Sequence, residues 1–223
     1  MREVVIDTET TGLDPSDGHR IVEIAGIELM YHVPSGRQFH CYVNPERDMP
    51  EEAFAVHGLT RDFLAAHPPF AAVIDELIAF IGPDRVVIHN AEFDLAFLNA
   101  ELARMGRPPL ALPFVDTLEL ARTRFPGAPA SLDALCRRFS IDLAMREKHG
   151  AHIDCNLLAA VYLELLGGRQ PDLDFSGFGD AGPETIIVER AARAPRPHAP
   201  SPEELTAHLA MLETIKSPLW LAP

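Results

Sequence analysis

Three short stretches of the sequence combine acidic and histidine side chains at spacings that suit metal binding and proton transfer. The first is DTE, residues 7–9, which directly follows the three β-branched residues VVI and contains Asp7 and Glu9. Side chains alternate along a strand, so both carboxylates project from one face, with Cα atoms about 6.5 Å apart, and can ligate one metal centre. The TTGL that follows supplies a glycine for a tight turn close to a ligand. The alternative is that one acid caps a turn and the other is solvated at the end of a strand.

The second stretch is HNAEFD, residues 89–94. Asn90 is predicted as the N-cap of a helix, and Asp94 falls in the first turn of that helix, ahead of an apolar stripe. Asp94 therefore lies at a junction between a strand and a helix, where it could join a metal site. Alternatively, it only complements the positive end of the helix dipole.

The third stretch is HGAHID, where His149 lies on a loop five residues before Asp154 and Asp154 opens a strongly periodic helix. A histidine beside a carboxylate can act as a general base, because its ordinary pKa is close to neutral pH. The alternative is a surface histidine followed by an acid that caps the helix.

Strands and helices that would position these side chains can be read from the hydrophobic pattern. Residues 3–9, 20–30 and 37–43 are predicted as strands, and short loops such as HVPSG imply antiparallel hairpins. Predicted helices and short strands then alternate: helices at 69–81, 91–105, 117–124, 131–139 and 154–166, with strands at 85–89 and just before residue 117. The order predicts an α/β fold, a mixed sheet flanked by helices, in a single domain over residues 1–168.

Composition limits the kind of protein and the kind of substrate. The chain has 223 residues, 47% of them hydrophobic, and a net charge of −14, which argues against binding nucleic acid through a basic face. A phosphate substrate would need bound cations or a partner. Cys41, Cys136 and Cys155 give neither a disulfide framework nor a zinc motif, and no membrane span or signal peptide is recognised. We therefore expect a cytoplasmic protein with no membrane partner.

The sequence changes character after residue 168. Residues 169–200 contain five prolines and three glycines and are predicted as a flexible linker. Residues 201–223 begin with a capping box, Ser201 with Glu204, and continue as a helix with Leu205, Leu209 and Leu212 on one stripe. Trp220, the only tryptophan of the chain, follows this helix. An apolar stripe and a tryptophan on a tail predict a docking segment for a partner.

Five motifs follow one another along residues 1–168: DTETTG, VHG, HNAEFD, SLDALC and HGAHID. In this order the sequence resembles the DEDDh 3'-5' exonucleases, and within that family the proofreading, or epsilon, subunits of bacterial DNA polymerase III. The resemblance implies a ribonuclease H-like fold and two divalent metal ions. It also implies hydrolytic removal of nucleoside 5'-monophosphates from DNA 3' ends.

The resemblance also assigns roles to individual residues. It implies that four acids ligate the metals, that three of them (Asp7, Glu9 and Asp154) also contact the substrate, and that His149 is the general base. It implies further that Glu52 and His57 contact the terminal nucleotide. His152 stands only two residues before the last acid and is excluded by spacing, and Asp116 is interpreted as a helix N-cap. Oxygen ligands favour Mg²⁺ or Mn²⁺ over zinc. The implied ligands are Asp7, Glu9, Asp94 and Asp154.

Partners are implied by the tail. QPDLDF resembles peptides that bind the bacterial sliding clamp through residues equivalent to Gln170, Leu173 and Phe175. The helix with Trp220 resembles the end of epsilon that binds the replicative polymerase alpha subunit, and the resemblance leaves room for a theta-like small subunit. Two other functions stay open: a stand-alone exonuclease that trims DNA or RNA 3' ends, related to ribonuclease T, and a catalytically silent module that stabilises the polymerase.

Overall fold

A computed structural model describes residues 1–144, 146, 148–168 and 199–216. The chain divides into two compact units, Met1–Asp174 and Phe175–Pro223. The predicted clamp motif (Gln170, Leu173, Phe175) and Trp220 lie outside the described residues.

The first unit is built on a five-stranded mixed sheet in the order β3-β2-β1-β4-β5. β1 occupies the centre, pairing antiparallel with β2 and parallel with β4. β2 and β3 form a second antiparallel pair, and β4 and β5 a second parallel pair. This arrangement confirms the predicted mixed sheet. The strands are β1 (Arg2–Thr10), β2 (Ile21–Met30), β3 (Val33–Tyr42), β4 (Arg85–Ile88) and β5 (Phe114–Asp116).

Helices connect the strands of this sheet and cover both of its faces. Among the described residues of the first unit, three α-helices lie between β3 and β4, one lies between β4 and β5, and three follow β5. The helices are α1 (Glu51–His57), α2 (Arg61–Ala65), α3 (Phe70–Ile81), α4 (Ala91–Arg104), α5 (Thr117–Arg124), α6 (Leu132–Arg138) and α7 (Ala151–Leu165). In the second unit the described part contains α8 (Pro202–Thr214).

The hydrophobic core has two layers, one on each face of the sheet. Val4 and Ile6 of β1 pack with α3 and α4, whereas Val5 packs with α7. This alternation explains why β1 and β4 each contain a run of three consecutive buried apolar residues, since both of their faces are covered there: Val4–Ile6 and Val86–Ile88. It also sets the direction of the acids: Asp7 and Glu9, at odd positions like Val5, share the face that α7 covers.

Several predicted boundaries were wrong. The hairpin turns at Tyr31 and His32, whose φ angles are 53° and 67°, so β3 begins at Val33 and includes residues that we predicted as a loop. Left-handed backbone at both central residues is the geometry of a two-residue hairpin turn. α7 begins at Ala151, three residues before the predicted start. α1 and α2 were not predicted.

α8 has the predicted N-terminal signals. Ser201 and Glu204 form both hydrogen bonds of a capping box, and Pro202 takes the first helical position. Leu212 is buried, whereas Leu205 and Leu209 are 47% and 54% exposed. Within the described part of the chain, no helix is both long and apolar enough to span a bilayer.

Candidate active site

Asp7 and Glu9 lie on the second half of β1, opposite Ala25 and Glu23 of β2. Glu9 is 9% exposed, and β1 forms a register shift directly after it, between Glu9 and Thr10. The sheet therefore fixes both backbones before the chain turns away into TTGL. At Gly12 an added Cβ would collide with the His19 ring, so this position needs glycine to let the loop pack tightly on His19.

Asp94 is in the first turn of α4 and is almost completely buried. The Thr8 hydroxyl of β1 donates a hydrogen bond to Asp94 Oδ1 at 2.7 Å. Thr8 lies between Asp7 and Glu9 in sequence and points to the opposite face, which is the face that α4 covers. β1 thus supplies two acids on one face and orients a third from the other.

The start of α4 differs from the prediction. Asn90 has the N-cap position, but its backbone is left-handed (φ 66°) and its side chain forms no capping hydrogen bond. Asp116, at the end of β5, instead accepts from the backbone N–H groups of Asn90 (3.0 Å) and Ala91 (3.1 Å). It also caps α5 through Leu118 N, as predicted. Asp116 is therefore a structural acid that joins two helix starts.

Asp154 and His149 come from α7 and the loop before it. Asp154 is in the first turn of α7 and is 3% exposed, whereas the His149 side chain is 50% exposed. The backbone N–H of His149 donates to the carbonyl of Val56 at 3.2 Å, which attaches this loop to the end of α1. The VHG motif thereby positions the histidine of HGAHID.

The structure brings three of the five predicted metal-binding and catalytic residues within reach of one ion, and this group does not include Asp7 or Asp94. Ligand atoms of Glu9, His149 and Asp154 lie within 4.8 Å of one another, and His149 Nδ1 is 3.3 Å from Asp154 Oδ2. His152 is directed elsewhere, since its Nε2 is 2.9 Å from the side-chain oxygen of Gln38. This placement agrees with the exclusion of His152 by spacing.

Burial and mutual repulsion make the acids hard to ionise together. Burial raises the pKa of Glu9 to about 8, and the charges of Asp154, Glu23 and Asp94 add to the effect. Burial also raises the pKa of Asp94 to about 7, although the hydrogen bond from Thr8 opposes this shift. The pKa of Asp7 lies well above its ordinary value, because of burial first and then the charges of Asp94 and Glu9. Positive charge added beside such a cluster would stabilise its ionised form.

The donor set fits divalent cations. It consists of carboxylate oxygens with one imidazole and no thiolate, the pattern preferred by hard ions. The charges of Asp154, Glu23 and Asp94, which after burial raise the pKa of Glu9, are charges that a divalent ion would neutralise.

The raised pKa values predict how the stability of the chelator-treated protein varies with pH. Glu9 and Asp94 hold protons in the folded state up to about pH 7 to 8, whereas the unfolded chain releases them near pH 4. Between these values the folded state binds more protons, so the free energy of unfolding falls as the pH rises. We expect the melting temperature in EDTA to decrease by several degrees from pH 5 to pH 8.5.

The control for this experiment is Glu9→Gln, which removes one of the titrating groups. Above pH 8 the variant should melt at a higher temperature than the unsubstituted protein, and the difference should disappear toward pH 5. A difference that is independent of pH would contradict the assignment of Glu9 as a carboxyl with a raised pKa.

A cavity of about 500 Å³ opens beside the acids. Glu52 and His57 of α1 line it, as do Leu13, Val56 and Phe93. His57 is buried, and its Nδ1 accepts from Leu59 N–H, so in the neutral ring Nε2 carries the proton. Nε2 is buried and has no hydrogen-bond partner among the described residues. A buried donor without a partner is costly, which indicates a place for a polar ligand.

Two features of the site were not predicted from the sequence. Leu13 is 86% exposed at the rim of the cavity, where its apolar side chain could contact a planar ligand. Arg146 contacts both Asp154 and His149. For Leu13 the sequence contains a signal, because an apolar residue directly follows the turn residues TTG. For Arg146 it contains none, because the residue lies in a loop without periodicity.

Comparisons with known proteins agree with this geometry. The sequence model of the RNase_T exonuclease family matches residues 4–162. The chain is 51% identical over 174 residues to DNA polymerase III subunit epsilon of Rickettsia conorii, covering 76% of each protein. It is 41% identical over 239 residues to the same subunit of Salmonella typhimurium, covering 99% of this chain and 98% of the relative.

Among solved structures, exonuclease X in complex with 5' overhanging duplex DNA is similar to this chain. The TM-score is 0.59 at 27% identity, covering 74% of this chain and 90% of exonuclease X. The predicted ribonuclease H-like fold and exonuclease activity are thus confirmed. The chain belongs to the DEDDh family of metal-dependent 3'-5' exonucleases and, within it, to the epsilon proofreading subunits of bacterial DNA polymerase III.

Proposed function

We propose that the site removes single nucleotides from DNA 3' ends with two divalent ions, Mg²⁺ or Mn²⁺, held by the four acids. The observation that carries this proposal is the convergence of acidic side chains, in which burial first and then the charges of neighbouring acids raise the pKa values of Asp7 and Glu9. When bound, the ions would hold the scissile phosphate, activate the attacking water and stabilise the leaving 3' oxygen. The proposed ligands are Asp7, Glu9, Asp94 and Asp154.

His149 is proposed to take the proton of the attacking water. Its ring is half exposed, so water and substrate can reach it, and it lies beside Glu9 and Asp154. The carboxylate of Asp154 would stabilise the imidazolium once the proton has been transferred. The Thr8 hydroxyl would keep Asp94 oriented during this reaction, because its hydrogen bond fixes one carboxylate oxygen of Asp94.

The cavity is proposed to hold the terminal nucleotide. Its volume of about 500 Å³ lies in the range of small-ligand sites. The Nε2–H of His57, which has no partner among the described residues, and the carboxylate of Glu52 would contact the 3' hydroxyl end of the terminal sugar, while Leu13 and Phe93 would contact the base. Apolar contacts of this kind do not distinguish one base from another, as an enzyme that removes any wrong nucleotide requires.

The tail is proposed to deliver the site to its substrate. A chain with a net charge of −14 binds DNA poorly by itself, so a tether to the polymerase would raise the local concentration of primer ends. We propose that residues 201–223, with Leu205, Leu209, Leu212 and Trp220, bind the polymerase alpha subunit. Gln170, Leu173 and Phe175 are proposed to bind the sliding clamp, and a theta-like small subunit is a further proposed partner.

An assay on paired and mismatched primer ends, with and without polymerase, tests this function. We expect the full chain to remove mismatched ends faster, and polymerase to increase the rate. A chain ending at residue 200 should lose the increase and no longer copurify with polymerase, while hydrolysis of free single-stranded DNA stays unchanged. The cause is loss of the tether, with the catalytic unit intact.

The matched control is the substitution of Gln170, Leu173 and Phe175 by Ala. This variant should keep polymerase binding and lose retention on the clamp, the opposite pattern to the truncated chain. If the truncated chain binds polymerase with undiminished affinity, the tether lies elsewhere. If neither polymerase nor a mismatch changes the rate, the chain is a stand-alone trimming exonuclease.

A further inference from the structure

Arg146 lies in the loop before α7 and is buried against the active site, with only 8% of its side chain exposed. Its guanidinium contacts three side chains. Nε donates to Asp154 Oδ1 and Nη2 to Asp154 Oδ2, both at 2.6 Å. Nη2 also lies 2.8 Å from His149 Nδ1, and Nη1 pairs with Asp133.

The pairing with Asp154 uses both oxygens of that carboxylate. Parallel N–H···O bonds of this type are the strongest arrangement between arginine and a carboxylate, and they occupy the edge that a metal ion would approach. A cation that takes Asp154 as a ligand at that edge must therefore displace at least one of these two hydrogen bonds. Arg146 and the metal compete for the same oxygens.

The contact with His149 has a second consequence. A guanidinium has donors and no acceptor, so His149 Nδ1 must accept from Arg146. The proton of the neutral ring is then on Nε2, and no ring nitrogen is left with a free lone pair. In this arrangement His149 cannot take a proton from water. The same arginine thus occupies both a proposed metal ligand and the proposed general base.

Asp133 gives the arginine a partner outside the site. It belongs to the first turn of α6, is 39% exposed, and is not one of the proposed ligands. The guanidinium can keep its bond to Asp133 while it leaves Asp154 and His149, so release does not leave a buried charge without a partner.

We propose that Arg146 is an internal counter-cation, which holds Asp154 and His149 together between rounds of metal binding and gives up both residues when the metals bind. This inference rests on the proposed role of Asp154 as a metal ligand. Its consequence is that metal binding and activation of the general base are coupled, because one side chain must move for both.

The test is a calorimetric titration of the full chain with Mn²⁺ alone, which measures the affinity for the metal. Arg146→Gln should bind Mn²⁺ about fivefold more tightly than the unsubstituted protein, since the competing ion pair is gone. Arg146→Lys keeps the charge but cannot form the two parallel bonds, so its affinity should fall between the two. Arg137→Gln is the matched control: it removes the same charge from nearby α6, where Arg137 is 73% exposed and pairs with Asp133.

Thermal melting gives a readout independent of activity. In EDTA, Arg146→Gln should melt at a lower temperature than the unsubstituted protein, and saturating Mn²⁺ should close the difference. If Arg146→Gln does not fold in EDTA, the comparison of Arg146→Lys with the unsubstituted protein decides the question.

Three results would overturn the counter-cation. Weaker or unchanged Mn²⁺ binding by Arg146→Gln would show that the arginine does not compete with metal. Equal Mn²⁺ affinities of Arg146→Lys and the unsubstituted protein, or tighter Mn²⁺ binding by Arg137→Gln, would show that the change in affinity reflects only the overall charge of the protein. Asp154→Asn separates this failure from failure of the site itself: if it leaves Mn²⁺ binding intact, Asp154 is not a ligand.

Discussion

Asp7→Asn and Asp154→Asn should each reduce hydrolysis of single-stranded DNA to below about one per cent of the unsubstituted rate. In the proposed site each carboxylate helps to hold the metals, and through them the water and the phosphate, so the loss of one carboxylate should remove most of the catalysis. The fold should survive. In EDTA, Asp7→Asn should even melt at a higher temperature, because burial and the charges of Asp94 and Glu9 hold the pKa of Asp7 high.

The matched control for these variants is Glu92→Gln. Like Asp154, Glu92 is an acid in the first turn of a helix, here α4, but it is exposed. Its replacement should leave the rate within about twofold, as expected for a surface site. Residual activity above a few per cent in Asp7→Asn or Asp154→Asn, with circular dichroism unchanged, would contradict the assignment of these two acids as metal ligands.

His149→Ala should lower the rate at pH 7 by about a hundredfold or more, in the range of general-base catalysis. Binding of Mn²⁺ should persist, because the carboxylates remain. His152→Ala should cost far less, since the His152 ring contacts Gln38. The measurement is single-turnover hydrolysis of a single-stranded oligonucleotide by both variants.

Added imidazole provides a further control. Because the His149 side chain is 50% exposed, its removal leaves a space open to solvent, and imidazole should restore part of the activity of His149→Ala. The same addition should have no effect on Asp7→Asn. A larger loss in His152→Ala than in His149→Ala would show that the general base has been assigned to the wrong histidine.

The sequence predicted the central strands well because β1 and β4 contain short apolar runs that are covered on both faces, Val4–Ile6 and Val86–Ile88. It did not predict α1 and α2, which are short and lack strong periodicity. α1 also begins after Pro50, with no side-chain cap. The start of α7 was misplaced because Asp154 was interpreted as the residue that opens the helix, whereas Gly150 is the N-cap.

The site was predictable where its residues form a local pattern, and less so where they meet only in space. The spacing of DTE and of HGAHID predicted acids on one face and a histidine close to a helix start. The hydrogen bonds that the backbone N–H groups of Asn90 and Ala91 donate to Asp116 join α4 to β5. No local sequence pattern predicts them. The guanidinium of Arg146 reaches Asp154 from a loop, where the sequence pattern carries no information on side-chain direction.

The central position of β1 has a consequence for folding during synthesis. Asp7 and Asp154 are 147 residues apart, and β1 pairs with β2 long before β4 and α7 have been made. Contacts of such separation form late, since the closure of a long loop must come first. Until α7 arrives, the face of β1 that carries Val5 and Asp7 is uncovered and prone to aggregation. If Asp154 is a metal ligand as proposed, the nuclease centre is completed only when α7 has been made, and we expect a chain that stops ahead of α7 to be unable to cut DNA.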